Sequence, residues 1–542
     1  MNLNKKLIPA LIASALASTA YSSTALANDS AELEELRALV QQLEQKVKVI
    51  DRKSELAEEA AAAKKKETPV VKASEKGFGI QSADGQHEIK FRGLLQADGR
   101  VFDQGKQITQ KAASGASTAG YLDNTEDAHG TALLRRVRPT IEGKVFDKYD
   151  FRFTPEFGDG KANVVDAYID ARFDPAFQFK AGKFKPFVGL ERLQSGADIK
   201  FIERSYVSSI LPNRDVGFSL HGDLANDRLS YALGVYNGVV DGGDNTTSSD
   251  LNNSKDFAAR VFATPFKGQD NPLEGLGFGI AATYGDVTGQ VKDTVNGSVT
   301  ELTTGYKTEG QQTFFQYNGA GVLRSGIGEN LTATGGPGAS WLVHADGQRY
   351  RLAPQAYYYF GPLGIQGEYV RESQAVSVGA QNLAKTTLNN DAWQLGVSYL
   401  ITGEDASFKG VKPKRNFDLN SGGWGAWELV ARYSELNLDD AAFSFGALDS
   451  TALNTTLNGK AHYLYADPKA SAKSAHTWTV GANWYLNPEV KFALNYSQTS
   501  FNGGGGNLSG SPTNTFADLV TQSDVRNRED ERVLLARFQI AY

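Results

Sequence analysis

Apolar and polar side chains alternate along most of this chain, in repeated runs from residue 87 to the C-terminal Tyr542. In 87–102, Ile89, Phe91 and Leu95 fall on one parity, and charged residues fall on the other. A β-strand places successive side chains on opposite faces, so these runs predict strands with one apolar and one charged face. The same pattern recurs in 149–157, 164–173, 476–486 and 531–542.

The length of these runs favours a membrane barrel over a soluble sandwich, whose strands also alternate. Each run has about nine to twelve residues, the length that a tilted strand needs to cross a bilayer. Aromatic residues cluster near the ends of the runs, as they do at membrane interfaces. The last run has an apolar face and ends on Tyr542. These features predict an all-β, antiparallel transmembrane β-barrel in a bacterial outer membrane.

The composition and the absence of known motifs argue against several classes of protein. Beyond the first thirty residues there is no apolar run of about 18 residues, so no transmembrane helix is predicted. Cys is absent, which excludes disulfides and thiolate metal sites. The net charge of -6 argues against a nucleic-acid binder. No metalloprotease, nucleophile-elbow, phosphate-loop or EF-hand motif occurs, so we expect no enzyme activity, no cofactor and no metal site.

The first residues resemble a secretory signal peptide. Lys5 and Lys6 precede a short apolar stretch, and Ala25-Leu26-Ala27 matches a small-residue cleavage site. We therefore predict a signal peptide over 1–27 and a mature chain that starts at Asn28. An amphipathic N-terminal anchor is the alternative interpretation.

A different period follows the signal peptide, over 28–57. Apolar residues alternate at spacings of three and four, which is a heptad seam. They are Leu33, Leu36, Val40, Leu43, Val47 and Ile50. The pattern predicts a short periplasmic coiled coil that joins copies of an oligomer, with a lone amphipathic helix as the alternative. Residues 58–77 are rich in Ala, Lys and Glu and contain Thr68-Pro69, so we predict a flexible linker before a barrel domain over 78–542.

Turn parity sets the number of strands. The alternation gives seventeen candidates, but both ends of the barrel must be periplasmic, which requires an even number. The weakest candidate is 311–317, which is isolated in a polar stretch, and assigning it to an external loop leaves sixteen. The stretch 402–424 is long for a periplasmic connection, and the sequence alone does not explain its length.

The charged faces of the predicted strands define the lumen, and they carry more basic than acidic residues. The basic set is Lys90, Arg92, Arg100, Arg136, Arg138, Lys144, Arg152, Arg172, Lys180, Arg260, Arg349, Arg351, Arg432 and Arg537. The acidic set is Asp98, Glu142, Asp150, Glu156, Asp166, Asp170, Asp223, Glu368 and Glu428. Arginine presents a planar fork of donors that suits oxyanions. The alternative role of each residue is a salt bridge that stiffens the barrel wall.

Several blocks resemble the phosphate-selective porin O and P family. The run from Leu133 to Gly238 carries most of the resemblance, with LLRRVRPTIEGKVFDKYDFRFTPEFGDG, VVDAYIDARFDP and LPNRDVGF in that order. Two later blocks, GAWELVARYSELNLDD at 425–440 and VGANWYLNPEVKFALNYSQ at 480–498, add to it. The resemblance implies a homotrimer of sixteen-stranded barrels, each with its own pore and an inward-folded third external loop at about 184–214.

The resemblance also indicates which residues contact the solute. It places the binding zone near the constriction, between the arginine pair of the second strand and the third loop. The candidates are Arg135, Arg136, Lys183, Lys185, Ser195, Lys200 and Arg204, with Asp166 as an acidic partner and Arg138 added by strand parity.

Together these features predict a passive, anion-preferring channel of the outer membrane, with phosphate-type anions as its solutes. A general or organic-acid diffusion porin is an alternative of the same class. A structural tether or adhesin that uses the coiled coil is an alternative of another class.

Overall fold

The structure is a computed structural model. It describes residues 30–74, 77–112, 120–160, 162–245, 254–289, 302–318, 322–323, 343–378, 384–447, 461–506 and 525–542. The predicted signal peptide, 1–27, lies outside the described residues. Among the described helices, none has both the length and the apolar character needed to cross a membrane.

Sixteen antiparallel strands form a closed ring, as predicted. In chain order they are β1 (Glu88–Gln104), β2 (Thr131–Val145), β3 (Tyr149–Glu156), β4 (Asn163–Asp174), β5 (Phe177–Phe184), β6 (Asp215–Leu224), β7 (Leu229–Tyr236), β8 (Asp256–Ala263), β9 (Leu276–Thr288), β10 (Val343–Phe360), β11 (Leu363–Val378), β12 (Ala384–Leu400), β13 (Ala426–Asn437), β14 (Ala472–Tyr485), β15 (Val490–Gly503) and β16 (Glu531–Ala541). The ring closes where β16 pairs with β1, with Leu535 opposite Arg100. A hairpin of Val70–Ser74 and Gly77–Gln81 extends the sheet beside the start of β1 and lies outside the ring.

The two faces of each strand differ as the alternation requires. Ile169 and Leu395 point outward and are 58% and 48% exposed, whereas their inward neighbours Asp170 and Gln394 are buried. An exposed apolar outer face is what lipid covers in a membrane barrel.

External loops fill one side of the lumen. The third loop, 185–214, contains two short helices, α2 (Leu190–Leu193) and α3 (Val207–Ile210). It lies along the inner wall from β10 round to β1, because wall side chains such as Gln355 and Gln96 donate hydrogen bonds to its carbonyls. The fifth loop, 289–342, packs against it through Phe314, which contacts Tyr206.

Short elements outside the ring complete these loops. They are the strands Lys106–Ala112, Gly120–Asp127, Tyr306–Lys307, Thr313–Phe315, Val322–Leu323, Phe445–Ala447 and Ala461–Tyr463, and a 3-10 helix at Asp440–Phe443. The pairing of Tyr306–Lys307 with Thr313–Phe315 places the run 311–317 in the fifth loop, apart from the barrel sheet. This confirms its assignment to a loop.

The long connection at 401–425 enters the barrel, which explains its length. Phe408 stacks on Tyr357 of the inner wall, with ring centroids 5.6 Å apart. Gln194 of the third loop donates a hydrogen bond to the carbonyl of Phe408 over 3.1 Å. The connection therefore supports the third loop from the periplasmic side.

The N-terminal helix α1 spans Ser30–Glu67. It continues through ten residues that the sequence predicted as linker, because Ala, Lys and Glu all favour helix. Four apolar residues of the predicted seam are exposed in the single chain, and they are Val40, Leu43, Val47 and Ile50. The helix and the barrel are separate compact units.

Candidate pore-lining site

A cavity of about 490 Å³ lies between strands β2 to β4 and the third, fourth (237–255) and fifth loops. Its charged lining is predominantly basic. The basic residues are Arg135, Arg136, Arg138, Arg192, Arg204, Arg214 and Lys307, and the acidic ones are Glu156, Asp159, Glu203, Asp241 and Asp244. Solutes that pass this level of the barrel therefore meet more positive than negative charge.

A β-bulge in β2 turns two consecutive arginines towards the lumen. Gln96 of β1 lies opposite Arg136, but the next residue, Ala97, lies opposite Leu134. Arg135 is therefore the extra residue of a bulge, which frees it from strict alternation. Its guanidinium reaches Glu203 in the third loop, over 2.9 Å from Nε and 3.2 Å from Nη2.

Three arginines of the cavity are neutralised by carboxylates. Besides Arg135, Arg138 donates from Nε to Glu156 over 2.5 Å, and Arg214 donates from Nε to Asp166 over 2.9 Å. Glu156 also accepts the backbone N–H of Val137, so its carboxylate is fixed. These pairs hold the arginine planes in place while they reduce the net field.

The other three arginines donate to neutral oxygens only. Arg136 donates to the Gln96 side chain over 2.6 Å, and Arg192 donates to the Ser208 carbonyl. Arg204 donates to the carbonyls of Glu191 and Gln194. Within the described part of the chain, none of these three guanidinium groups makes an ion pair with a carboxylate. They can therefore offer uncompensated positive charge to a solute.

Lys185 adds a fourth basic group that makes no ion pair among the described residues, beside these arginines. Its Nζ donates over 2.7 Å to the Gln194 carbonyl, the same oxygen that accepts from Arg204. Burial, together with the nearby guanidinium groups of Arg204 and Arg214, lowers the pKa of Lys185 well below its ordinary value.

The structure brings some of the predicted site residues together and separates others. Arg135, Arg136, Arg138 and Arg204 line the cavity, and Asp166 accepts a hydrogen bond from Arg214 of its lining. Lys185 shares the Gln194 carbonyl with Arg204 and is not itself part of the lining. Lys183 donates to the carbonyl of Asn245. Lys200 forms a buried ion pair with Glu428 over 2.9 Å, and the Ser195 hydroxyl accepts from the backbone of Ala197 in a local turn.

Many of the basic residues that parity assigned to the lumen anchor the loops and are not open to a solute. Arg432 donates to Glu191 of the third loop and to Glu309 of the fifth. Arg537 forms a two-pronged pair with Asp98, with both N–O distances 2.7 Å. Arg537 therefore fits the wall-stiffening alternative, whereas Arg432 joins two loops to the wall.

Sequence reasoning did not select Arg192, Arg214 and Lys307 as site residues. Arg192 and Arg214 lie in the predicted third loop, but nothing in their local pattern shows which side chains face the cavity. Lys307 enters through the fifth loop, and its only sequence signal was the assignment of the neighbouring run 311–317 to a loop. Within the described residues, no group of His, Cys, Asp and Glu could hold a metal ion.

The chain aligns with several solved outer-membrane proteins. The channel DcaP of Acinetobacter baumannii aligns with 9% identity and a TM-score of 0.45, over 86% of this chain and 99% of its own. OmpT of Vibrio cholerae aligns with 11% identity and a TM-score of 0.42, over 84% and 98%. An anion-selective porin from Comamonas acidovorans aligns with 9% identity and a TM-score of 0.42, over 84% and 100%. No curated protein matches the chain.

The sequence profile of one family, described as phosphate-selective porin O and P, matches residues 110–503, which is well over half of the chain. The match spans the arginine pair, the third loop and fourteen complete barrel strands, β2 to β15. A porin of this family is a channel rather than an enzyme, and the family does not favour a tether or an adhesin. The chain belongs to the phosphate-selective porin O and P family, and it is a passive, anion-preferring channel of the outer membrane.

Proposed function

We propose that this porin conducts phosphate-type anions and that they bind in the cavity between β2 to β4 and the third loop. The observation that carries the proposal is the set of three guanidinium groups, Arg136, Arg192 and Arg204, that line one cavity and donate to neutral oxygens only. An oxyanion offers the acceptors that these donors lack, and arginine forks match its oxygens.

The paired arginines keep this binding shallow. Conduction requires a site that attracts the solute and also releases it. Arg135, Arg138 and Arg214 each have a carboxylate partner, so they add fixed donors with little net charge. We propose that a phosphate moves between these donors and the uncompensated ones. In this scheme Arg135, Arg136, Arg138 and Arg204 contact the solute, and Lys185 acts through its charge.

Single-channel recording in planar bilayers tests the proposal. We expect the reversal potential in a KCl gradient to show chloride preference, and millimolar phosphate to reduce the chloride current. Arg136→Gln should raise the phosphate concentration that halves the current about tenfold, the effect of losing one charge-assisted hydrogen bond.

Arg371→Gln is the matched control. Arg371 lies on the outward face of β11, opposite the exposed Leu352, so its charge is outside the lumen. A current carried mainly by potassium would contradict the anion preference. An unchanged current in phosphate, or equal effects of the two substitutions, would contradict the phosphate site. Inhibition by dicarboxylates without inhibition by phosphate would favour the organic-acid alternative.

We also propose that three copies assemble through α1. The support is the apolar seam of Val40, Leu43, Val47 and Ile50, of which even the least exposed, Val47, is 42% exposed in the single chain. Such a seam at heptad spacing is buried when helices of neighbouring copies pair.

A further inference from the structure

Glu203 of the third loop lies among three arginines. Its carboxylate oxygens are 2.9 and 3.2 Å from Arg135 and 3.0 Å from Arg100, and Arg537 lies 3.9 Å away. The Glu203 side chain is 5% exposed. Burial by itself would raise the pKa of Glu203, but these arginines, Arg135 above all, hold it well below its ordinary value. Glu203 is therefore a permanent anion in a basic pocket.

The three arginines differ in their access to the cavity. Glu203 and Arg135 line it, whereas Arg100 and Arg537 lie outside its lining. Glu203 thus lies between the cavity and two arginines, Arg100 and Arg537, which approach its carboxylate from the side away from the cavity. Arg135 can therefore contact a solute in the cavity on one side and Glu203 on the other.

The pocket keeps a positive excess with Glu203 in place. Arg100, Arg135, Arg136 and Arg537 contribute four positive charges, and Asp98, Asp159 and Glu203 contribute three negative ones. The Nε of Arg100 is buried and has no hydrogen-bond partner in the described structure. Arg136, next to Arg135, makes no ion pair. The donors around Glu203 therefore exceed what its single carboxylate can satisfy.

The backbone at Glu203 is fixed, so only its side chain can move. Arg432 donates to the Glu203 carbonyl over 2.8 Å, and Arg537 donates to the Ile202 carbonyl over 2.7 Å. Asn495 accepts the N–H of Ile202 over 2.7 Å. A carboxylate on so short a tether competes at a high effective concentration with any dissolved anion.

We infer that the carboxylate of Glu203 is a built-in competitor that occupies an oxyanion-binding site formed by Arg100 and Arg135 and sets how weakly the pore holds its solute. A phosphate that enters the cavity takes Arg135 from Glu203 and uses Arg136 as its second partner. The return of Glu203 to Arg135 releases the phosphate. The inference rests on the proposed phosphate-conducting function and identifies the residue that limits affinity in the same cavity.

Glu203→Gln tests the inference because glutamine keeps the size and removes the charge. We expect the phosphate concentration that halves the chloride current to fall about tenfold, since freed arginine donors become available to the solute. We also expect added phosphate, at constant ionic strength, to raise the unfolding temperature of this variant more than that of the wild type. A dissolved anion then replaces the missing carboxylate.

Glu191→Gln is the matched control. Glu191 is also a buried carboxylate of the third loop, bound by Arg432 and by the hydroxyls of Ser205 and Ser208, but it does not line the cavity. A general loosening of the loop would affect both variants alike. The inference is overturned if the two variants respond equally to phosphate, or if Glu203→Gln leaves the phosphate affinity unchanged or lowers it.

Glu203→Asp, with a shorter side chain, is a second test that can be used if Glu203→Gln does not fold. Glu203→Asp keeps the charge, but its reach is one methylene less, so we expect a smaller fall in the half-blocking concentration in the same direction. An unchanged or raised value would overturn the inference.

If phosphate fails to reduce the wild-type current, the proposed function is wrong. The stabilisation of Glu203→Gln by dissolved anions is then still expected, and its absence would overturn the role of Glu203 separately.

Discussion

Lys185 is the ionisable residue whose charge most directly tests the electrostatics of the cavity. It shares the Gln194 carbonyl with Arg204 and has its pKa lowered by burial and by the guanidinium groups around it. A lysine with a lowered pKa loses its proton at a lower pH than usual, and the cavity then loses one positive charge.

We therefore predict that anion binding weakens as the pH rises through the lowered pKa of Lys185. Sulfate is the suitable blocker, because it stays doubly charged over this pH range. Lys185→Met should weaken the block several-fold below the pKa of Lys185 and abolish the pH-dependent step. Lys185→Arg should keep the block at high pH, because arginine stays protonated. A step that persists in Lys185→Met would assign the titration to another group.

Strand parity predicted some of the site residues but not all, for a reason visible at β2. It placed Arg136 and Arg138 in the lumen, where they lie. It could not include Arg135, because the bulge that turns this residue inward depends on the register with β1. Nor could it show that Lys200 is neutralised by Glu428, since this contact joins positions far apart in the chain. Local pattern gives the face of a residue, and tertiary contacts give its partner.

Each element of the barrel wall was predictable from alternation, but the inward path of the connections was not. The strands alternate because one face meets lipid and the other meets the lumen. The loops carry no such period, since they pack through scattered contacts such as Tyr206 on Phe314 and Phe408 on Tyr357. This is why the stretch at 402–424 had no explanation from the sequence.

Arg432 joins two of these loops to the wall, and its removal should release both. It is fully buried and donates to Glu191, to Glu309 and to the carbonyl of Glu203. Arg432→Met leaves two buried carboxylates without their partner, which costs about 3–5 kcal/mol. We predict a lower midpoint in urea unfolding and a noisier, larger chloride conductance. Arg371→Met on the outer wall is the control, and equal losses in the two variants would contradict this anchoring role.

The periplasmic connection should control the width of the pore and not its affinity. Replacement of 405–412 by a short Gly-Ser linker keeps the flanking contacts, in which the Lys414 ammonium donates to the Gly403 carbonyl over 2.5 Å and the Lys414 backbone N–H donates to the Glu404 carboxylate over 3.2 Å. We predict a larger chloride conductance with an unchanged half-blocking phosphate concentration, since the connection does not line the cavity.

The same linker at 418–423 provides the control. Asp418 and Gly423 exchange backbone hydrogen bonds in an exposed turn, away from the contacts of Phe408 with the inner wall. We expect this replacement to leave conductance unchanged. A marked change in phosphate affinity in the first variant would show that the connection also shapes the binding site.

At the scale of the whole molecule, the proposed trimer predicts that the barrel conducts and that the helix assembles the copies. The described charged residues that line the cavity all belong to the barrel and its loops, so conduction by a single barrel should not require the helix. Assembly should require it. Deletion of 30–60 is therefore expected to remove a heat-resistant trimer band in gel electrophoresis while the conductance of each pore is kept. Loss of adhesion or envelope integrity with an intact trimer would instead favour the tether alternative.

Two valines of the helix allow a sharper version of this test. Val47 is on the heptad seam and Val49 is off it, and both are exposed in the single chain. In a trimer, Val47→Asp places three carboxylates in one apolar layer, where like charges repel and are poorly solvated. We predict that Val47→Asp lowers the temperature at which the trimer dissociates and that Val49→Asp does not. If the two variants dissociate at the same temperature, the seam does not hold the copies together, and the trimer, where it forms, depends on the barrels alone.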